Sequence, residues 1–142
     1  MTTVAEQVLE RYTQAIVAKA PDRLAALYAP DAVHEFPFAH SDAATLRGPE
    51  QIEATYAASW GGTPAVVRGA DTVALHAVDD GETFVAEVDL RLTNSATGAD
   101  FVASTVLVMR LRDGRIVHMR DYTDNLTIAT ALGVVPSVAG RF

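Results

Sequence analysis

Asp113-Gly114-Arg115-Ile116-Val117-His118-Met119-Arg120-Asp121-Tyr122-Thr123-Asp124-Asn125 is the stretch from which the rest of the chain can be read. An Asp-Gly pair favours a tight hairpin turn, because both residues tolerate positive φ. The strand that follows is apolar and then ends in a cluster of ionisable groups. Burying charge is costly unless the charge is paired or hydrogen-bonded. A strand leaving the core through Asp121 must therefore do so at a wet cavity, an ion pair or an interface. Side chains alternate across a strand, so Met119, Asp121 and Thr123 share one face and His118, Arg120 and Tyr122 the other.

Upstream of that turn the pattern has period two as far back as Ala65. Asp80-Gly81 joins a strand near Asp71–Val78 to one at Thr83–Leu92, and the polar Thr93–Gly98 loop leads into a long strand over Ala99–Leu111. Within it, Phe101 to Met109 is apolar on both faces, which predicts a sheet covered on both sides there. Before Ala65 the period is helical. Thr3-Val4-Ala5-Glu6 is a capping box, and Val8, Tyr12 and Ile16, widened by Leu9 and Ala15, form the apolar stripe of a helix to about Lys19. Pro21 suits the first turn of a short helix over Asp22–Tyr28, ended by Pro30-Asp31. Val33 to Phe38 reads as a strand with Pro37 at an edge or bulge. Gly48-Pro49 opens a third helix that aligns Ile52, Tyr56 and Trp60 and stops at Gly61-Gly62. A short helix over Leu126–Leu132 ends at Gly133. Helices first and antiparallel strands after is the α+β pattern.

The bulk numbers narrow the function classes. The chain has 142 residues, 49% hydrophobic and 20% charged, which suits one globular domain with a sizeable core. No apolar run approaches the roughly 20 residues that span a bilayer, and the N-terminus lacks the layout of a signal peptide. The absence of cysteine excludes disulfides and thiolate chemistry, and the expected location is the cytoplasm. A net charge of −7 without any local basic run opposes nucleic-acid and anionic-membrane partners. The expected partners are a small apolar molecule and a second copy of the chain.

The order of these elements resembles the nuclear-transport-factor-2-like superfamily, and within it the SnoaL-like and ketosteroid-isomerase-like families. The resemblance runs through Glu10-Arg11-Tyr12, Ala29-Pro30-Asp31-Ala32-Val33, Glu35-Phe36-Pro37-Phe38-Ala39, Leu46-Arg47-Gly48-Pro49-Glu50, Arg120-Asp121-Tyr122 and Ala131-Leu132-Gly133. It implies a cone: a strongly curved antiparallel sheet wrapped around three N-terminal helices, one deep apolar pocket, and dimerisation through the outside of the sheet. The family hosts isomerases, cyclases, epoxide hydrolases, dehydratases and non-catalytic binders, so the residues must choose among them.

Ketosteroid isomerisation needs a carboxylate base and an oxyanion hole of a tyrosine with a protonated aspartic acid. Tyr12 matches the tyrosine, but the base position falls on Phe36 and the aspartate position on Leu107, so that mechanism is rejected. For the limonene-type epoxide hydrolases, Asp121 matches the final acid. Asp89-Leu90-Arg91, however, offers the other pair in reversed order and, by parity, on the face opposite Val88, Leu90 and Leu92. The SnoaL-like cyclases need a base beside a carbonyl and a pocket that constrains the substrate. Asp121 is the leading base, competing with a purely structural ion pair. His34 is a second acid/base group or a backbone-bonded rim residue, and Tyr12 a hydroxyl donor or simple core. The resemblance directs His34, Phe36 and Phe38 inward, and Phe36, Phe38, His40, Tyr56, Trp60, Val88, Leu90, Leu107, Met119 and Thr123 are the candidate substrate contacts. His34, Glu35 and His40 lie close in sequence, but Glu35 alternates away from His34, and no paired-histidine metal motif occurs. Neither a metal nor another cofactor is expected. The reading is a cofactor-independent acid/base enzyme of cyclase, isomerase or hydrolase type acting on an apolar carbonyl-bearing or cyclic substrate. The alternatives are a non-catalytic binder and a dimeric structural module of the same fold.

Overall fold

The first helix, α1 (Val4–Val17), is set by its capping box: the Thr3 hydroxyl accepts the Glu6 N–H at 3.1 Å, and the Thr3 N–H donates to the Glu6 carboxylate at 2.9 Å. Its Ala5, Val8, Leu9, Tyr12 and Ala15 stripe is buried. A computed structural model describes residues 2–39 and 44–134. After α1 come α2 (Pro21–Ala25), β1 (Tyr28–Glu35), β2 (Thr45–Arg47) and α3 (Gly48–Gly61), then β3 (Ala65–Ala77), β4 (Thr83–Asn94), β5 (Asp100–Arg112), β6 (Arg115–Thr123) and α4 (Asn125–Ala131).

The six strands form one curved, unclosed sheet in the order β2-β1-β6-β5-β4-β3. It is mixed: β1 runs parallel to β6, and the other neighbouring pairs are antiparallel. The β5–β6 turn has φ of 53° at Asp113 and 75° at Gly114, the two positive values a tight hairpin requires. Register shifts between Val67 and Gly69 and between Thr72 and Ala74 bend β3 against β4. At the first of these, a Cβ on Gly69 would lie 2.1 Å from the Arg91 guanidinium, so only a glycine lets Arg91 lie across the strand.

The inner face of the sheet and the helices share one core, with Tyr12, Ile52, Met109, Ile116 and Met119 at 0% exposure. α4 is capped by Asp124, whose carboxylate accepts the Thr127 N–H at 3.0 Å, and is tied to β4 by Asn94 Nδ2 donating to Ala131 C=O at 3.1 Å.

Three boundaries depart from the sequence expectation. The second helix ends at Ala25, and Tyr28 already belongs to β1, where Pro30 falls in the stretch of irregular register with β6. β1 stops at Glu35, so Pro37 and Phe38 form a turn and no longer alternate with His34. β3 starts at Ala65 rather than near Asp71, and the three-residue β2 had no periodic signal to betray it.

Candidate functional site

Asp121 sits near the end of β6 with its side chain on the inner face, 11% exposed. β6 pairs with β5 so that Thr105 lies opposite Thr123, and both hydroxyls reach Asp121 Oδ1. Thr105 is 3.2 Å from that oxygen and 2.9 Å from the Thr123 hydroxyl. The other oxygen, Oδ2, accepts from the Tyr56 hydroxyl of α3 at 3.3 Å. Burial pushes the Asp121 carboxyl above its ordinary value, and the hydrogen bonds from Thr123, Thr105 and Tyr56 oppose that rise.

Behind Tyr56 lies a buried polar chain. His34 Nε2 is 3.2 Å from the Tyr56 hydroxyl, and His34 Nδ1 is 2.7 Å from the Tyr28 hydroxyl. Burial, helped by the nearby His118 charge, lowers the His34 pKa to about 3, so the ring is neutral near pH 7. A neutral imidazole donates from one nitrogen and accepts at the other. Tyr56 spends its single proton on Asp121, so His34 Nε2–H must donate to Tyr56 and Nδ1 must accept from Tyr28. Tyr28, His34, Tyr56 and Asp121 thus form one directional series of donors that ends at the carboxylate.

Asp121 opens on a cavity of about 250 Å³, somewhat below the roughly 300 Å³ at which drug-sized pockets begin. Phe36, Tyr56, Trp60, Leu90 and Thr123 line it, as do Ile16, Val67, Leu92 and Ile128. Trp60 stacks obliquely on Tyr56 at 5.0 Å, and Phe36 on His34 at 4.5 Å, so the aromatic wall is braced from behind. The room suits a compact molecule.

The remaining candidate residues lie elsewhere. His34 is 0% exposed and stands behind Tyr56, not on the wall. Tyr12 is also fully buried and off the wall; its hydroxyl has no hydrogen-bond partner among the described residues, and burial raises its pKa well above 10. Val88, Leu107 and Met119 belong to the packed core beneath the cavity, each at most 2% exposed. Phe38 faces away altogether. The turn at Pro37 carries it to the outer side of the sheet, where it is 55% exposed and meets Tyr122 edge-on at 5.4 Å. His40 lies outside the described residues. Asp89 and Arg91 are on the outer face, bonded to Ser104 and Asp71 at 2.7 and 2.9 Å, far from an epoxide-opening arrangement with Asp121. Among the described residues no three His, Asp or Glu side chains converge as a metal site would require.

Two members of the polar assembly, Tyr28 and Thr105, escaped the sequence reading. Tyr28 was absorbed into the second helix. Thr105 is a lone hydroxyl in an apolar run, and its pairing with Thr123 was the one signal that could have exposed it.

A SnoaL-like domain model matches residues 9–119. The chain belongs to the SnoaL-like domain family. The match takes in His34 and Tyr56 and stops two residues short of Asp121. No curated protein matches this SnoaL-like chain. Among solved structures, a Bacillus subtilis protein assigned as an isomerase is 23% identical with a TM-score of 0.80, over 93% of this chain and 96% of its own. IdmH of Streptomyces antibioticus, assigned as a polyketide cyclase, is 25% identical with a TM-score of 0.74, over 94% and 100% of the two chains. An epoxide hydrolase of M. tuberculosis, described as LEH-like, is 21% identical with a TM-score of 0.68, over 92% and 90%. These likenesses fix the fold of the SnoaL-like chain, and the chemistry has to come from its own residues.

Proposed function

We propose that this SnoaL-like protein is a cofactor-independent acid/base enzyme that moves a proton on a compact, mostly apolar, carbonyl-bearing or cyclic substrate. One observation carries the reading: a single carboxylate, Asp121, faces a mostly apolar cavity and is held there by three neutral hydroxyls. A base so placed has its oxygens oriented and its affinity for a proton raised, which suits abstraction of a proton next to a carbonyl. Phe36, Trp60 and Leu90 hold the substrate body. Asn125, the first residue of α4 and also on the wall, offers an amide to the carbonyl oxygen as charge develops there. Neutral, buried His34 acts as a positioning residue that orders Tyr56, and it carries no proton to the substrate itself.

The test uses a generic carbonyl probe. Deuterium wash-in at the α-carbon of 2-tetralone in heavy water, followed by NMR, should be accelerated by the wild-type protein. Asp121→Asn should reduce that acceleration by at least about 100-fold with the fold retained, the range expected for loss of a general base. An unchanged rate in Asp121→Asn would remove the assignment.

Two copies are proposed to associate through the outer sheet face, where Val102 is 55% exposed and Val106, Val108 and the Phe38–Tyr122 pair are incompletely covered. Light scattering at micromolar concentration that returns the monomer mass would count against this.

A further inference from the structure

The wall of the cavity carries a feature that proton transfer at Asp121 does not use. α1 ends in a Schellman motif: the Lys19 N–H bonds to Ile16 C=O at 3.1 Å and the Ala20 N–H to Ala15 C=O at 3.0 Å. This places Lys19 at the position where the chain turns left-handed, with φ of 49°. Glycine is the usual occupant, since any Cβ is strained there. The lysine is therefore held against the backbone's preference. Lys19 is half-buried and, with Ile16 one turn before it, lines the cavity. Among the described residues it has no carboxylate within 4.0 Å and makes no side-chain hydrogen bond, while Asp121 is bonded by hydroxyls instead. Also on the wall are Ser59, from the last turn of α3, and Thr63, two residues beyond that helix. The Thr63 oxygen accepts the Ala65 N–H at 3.1 Å, which leaves its own proton free to donate.

An ammonium and two hydroxyls thus lie on the wall of a pocket that is otherwise apolar apart from Asp121, Thr123, Tyr56 and Asn125. In a chain of net charge −7, this cation has no partner among the described residues to explain it. We infer that Lys19 is a specificity residue that recognises an anionic group, foremost a carboxylate, on the substrate. The substrate class is then a compact apolar acid. The inference rests on the cavity being the substrate site, as proposed above, but not on Asp121 being a base.

The experiment compares 2-naphthoate with 2-naphthamide, matched in shape and differing in charge, by calorimetric titration of the full chain at pH 7. The wild-type protein should bind the carboxylate about five- to tenfold more tightly than the amide, as expected for a partly desolvated charge pair with a hydrogen bond. Lys19→Met keeps the apolar stem and should bring the ratio to about one. Lys19→Gly should do the same while raising Tm by about 2 °C, because it removes the left-handed strain. Asp121→Asn, which removes a like charge from the same cavity, should keep or enlarge the preference, so the two proposals fail separately. A wild-type ratio near one, no binding of the carboxylate, or a ratio that survives Lys19→Met would each overturn the assignment, and a lower Tm in Lys19→Gly would overturn the argument from strain.

Discussion

Asp121 and Glu35 are two carboxylates at the ends of adjacent strands, on opposite faces of one sheet, and their surroundings drive them in opposite directions. Glu35, on the outer face, accepts from His118 at 2.7 Å and from Arg120 at 3.3 Å, and the His118 bond, followed by Arg120, holds its carboxyl below the usual range. Asp121, on the inner face, has three hydroxyl donors and, among the described residues, no lysine or arginine within ion-pair reach; its one imidazole neighbour, His34 at 4.0 Å, is neutral, and burial holds its carboxyl above the usual range. Hydrogen bonds from neutral groups moderate desolvation without cancelling it, whereas charged partners at a wet surface overcome it. The alternation of β6 supplies both environments: Met119, Asp121 and Thr123 turn in, and His118, Arg120 and Tyr122 turn out.

The largest expected effect breaks the inner side. Beyond its loss of exchange activity, Asp121→Asn should be at least as stable as wild type at neutral pH. A carboxyl whose folded pKa is raised contributes stability that is full below its unfolded value and lost as pH rises through the folded one. The amide removes that loss, so thermal melts should separate most above the folded pKa and converge toward pH 4. Next comes His34. Its folded pKa of about 3 lies below the unfolded 6.5, so its contribution is present above pH 6.5 and falls away as the pH drops toward 3. Urea titrations should show wild type losing stability over that window and His34→Gln losing less. His34→Ala should cost about 3 kcal/mol at pH 7, because it empties a packed site and strands two tyrosine hydroxyls.

A smaller effect is expected from Tyr28→Phe, at about 1–2 kcal/mol, since it leaves the His34 Nδ1 acceptor without its donor. Equal stability would mean the series of donors is not organised as argued. The smallest is Glu35→Gln on the outer face, below about 1 kcal/mol and diminishing with added salt, because both partners are substantially exposed. If Glu35→Gln proved as disruptive as His34→Ala, the contrast between the two faces would fail.

Much of this was legible in the chain. The capping box, the change of period at Ala65 and the Asp113-Gly114 turn gave most of the elements, because each depends on contacts a few residues apart. Parity over the regular stretch from His118 to Thr123 set Asp121 on the face opposite Arg120, and the family resemblance turned that face inward. The failures occurred where non-local packing decides. Parity was carried through Pro37 to Phe38, although β1 had already ended at Glu35. Pro30, read as a terminator, is tolerated within a strand because the register with β6 is irregular there. The parallel pairing of β1 with β6 joins residues at least 85 positions apart, which no local period encodes. Thr105 joins the polar assembly through its β5 pairing opposite Thr123, and Tyr28 through the fold of β1 that brings its hydroxyl to His34.

The one-way order of donors from Tyr28 to Asp121 makes the cavity readable at a distance. Tyr28 is 2% exposed and does not touch the cavity, yet its proton is engaged at 2.7 Å in the same series of bonds. Whatever occupies or neutralises Asp121 changes what Tyr56 must donate to, and with it the polarisation of each bond behind it. The Tyr28 hydroxyl resonance, shielded from exchange with solvent, is thus a built-in gauge of whether the carboxylate is charged or engaged.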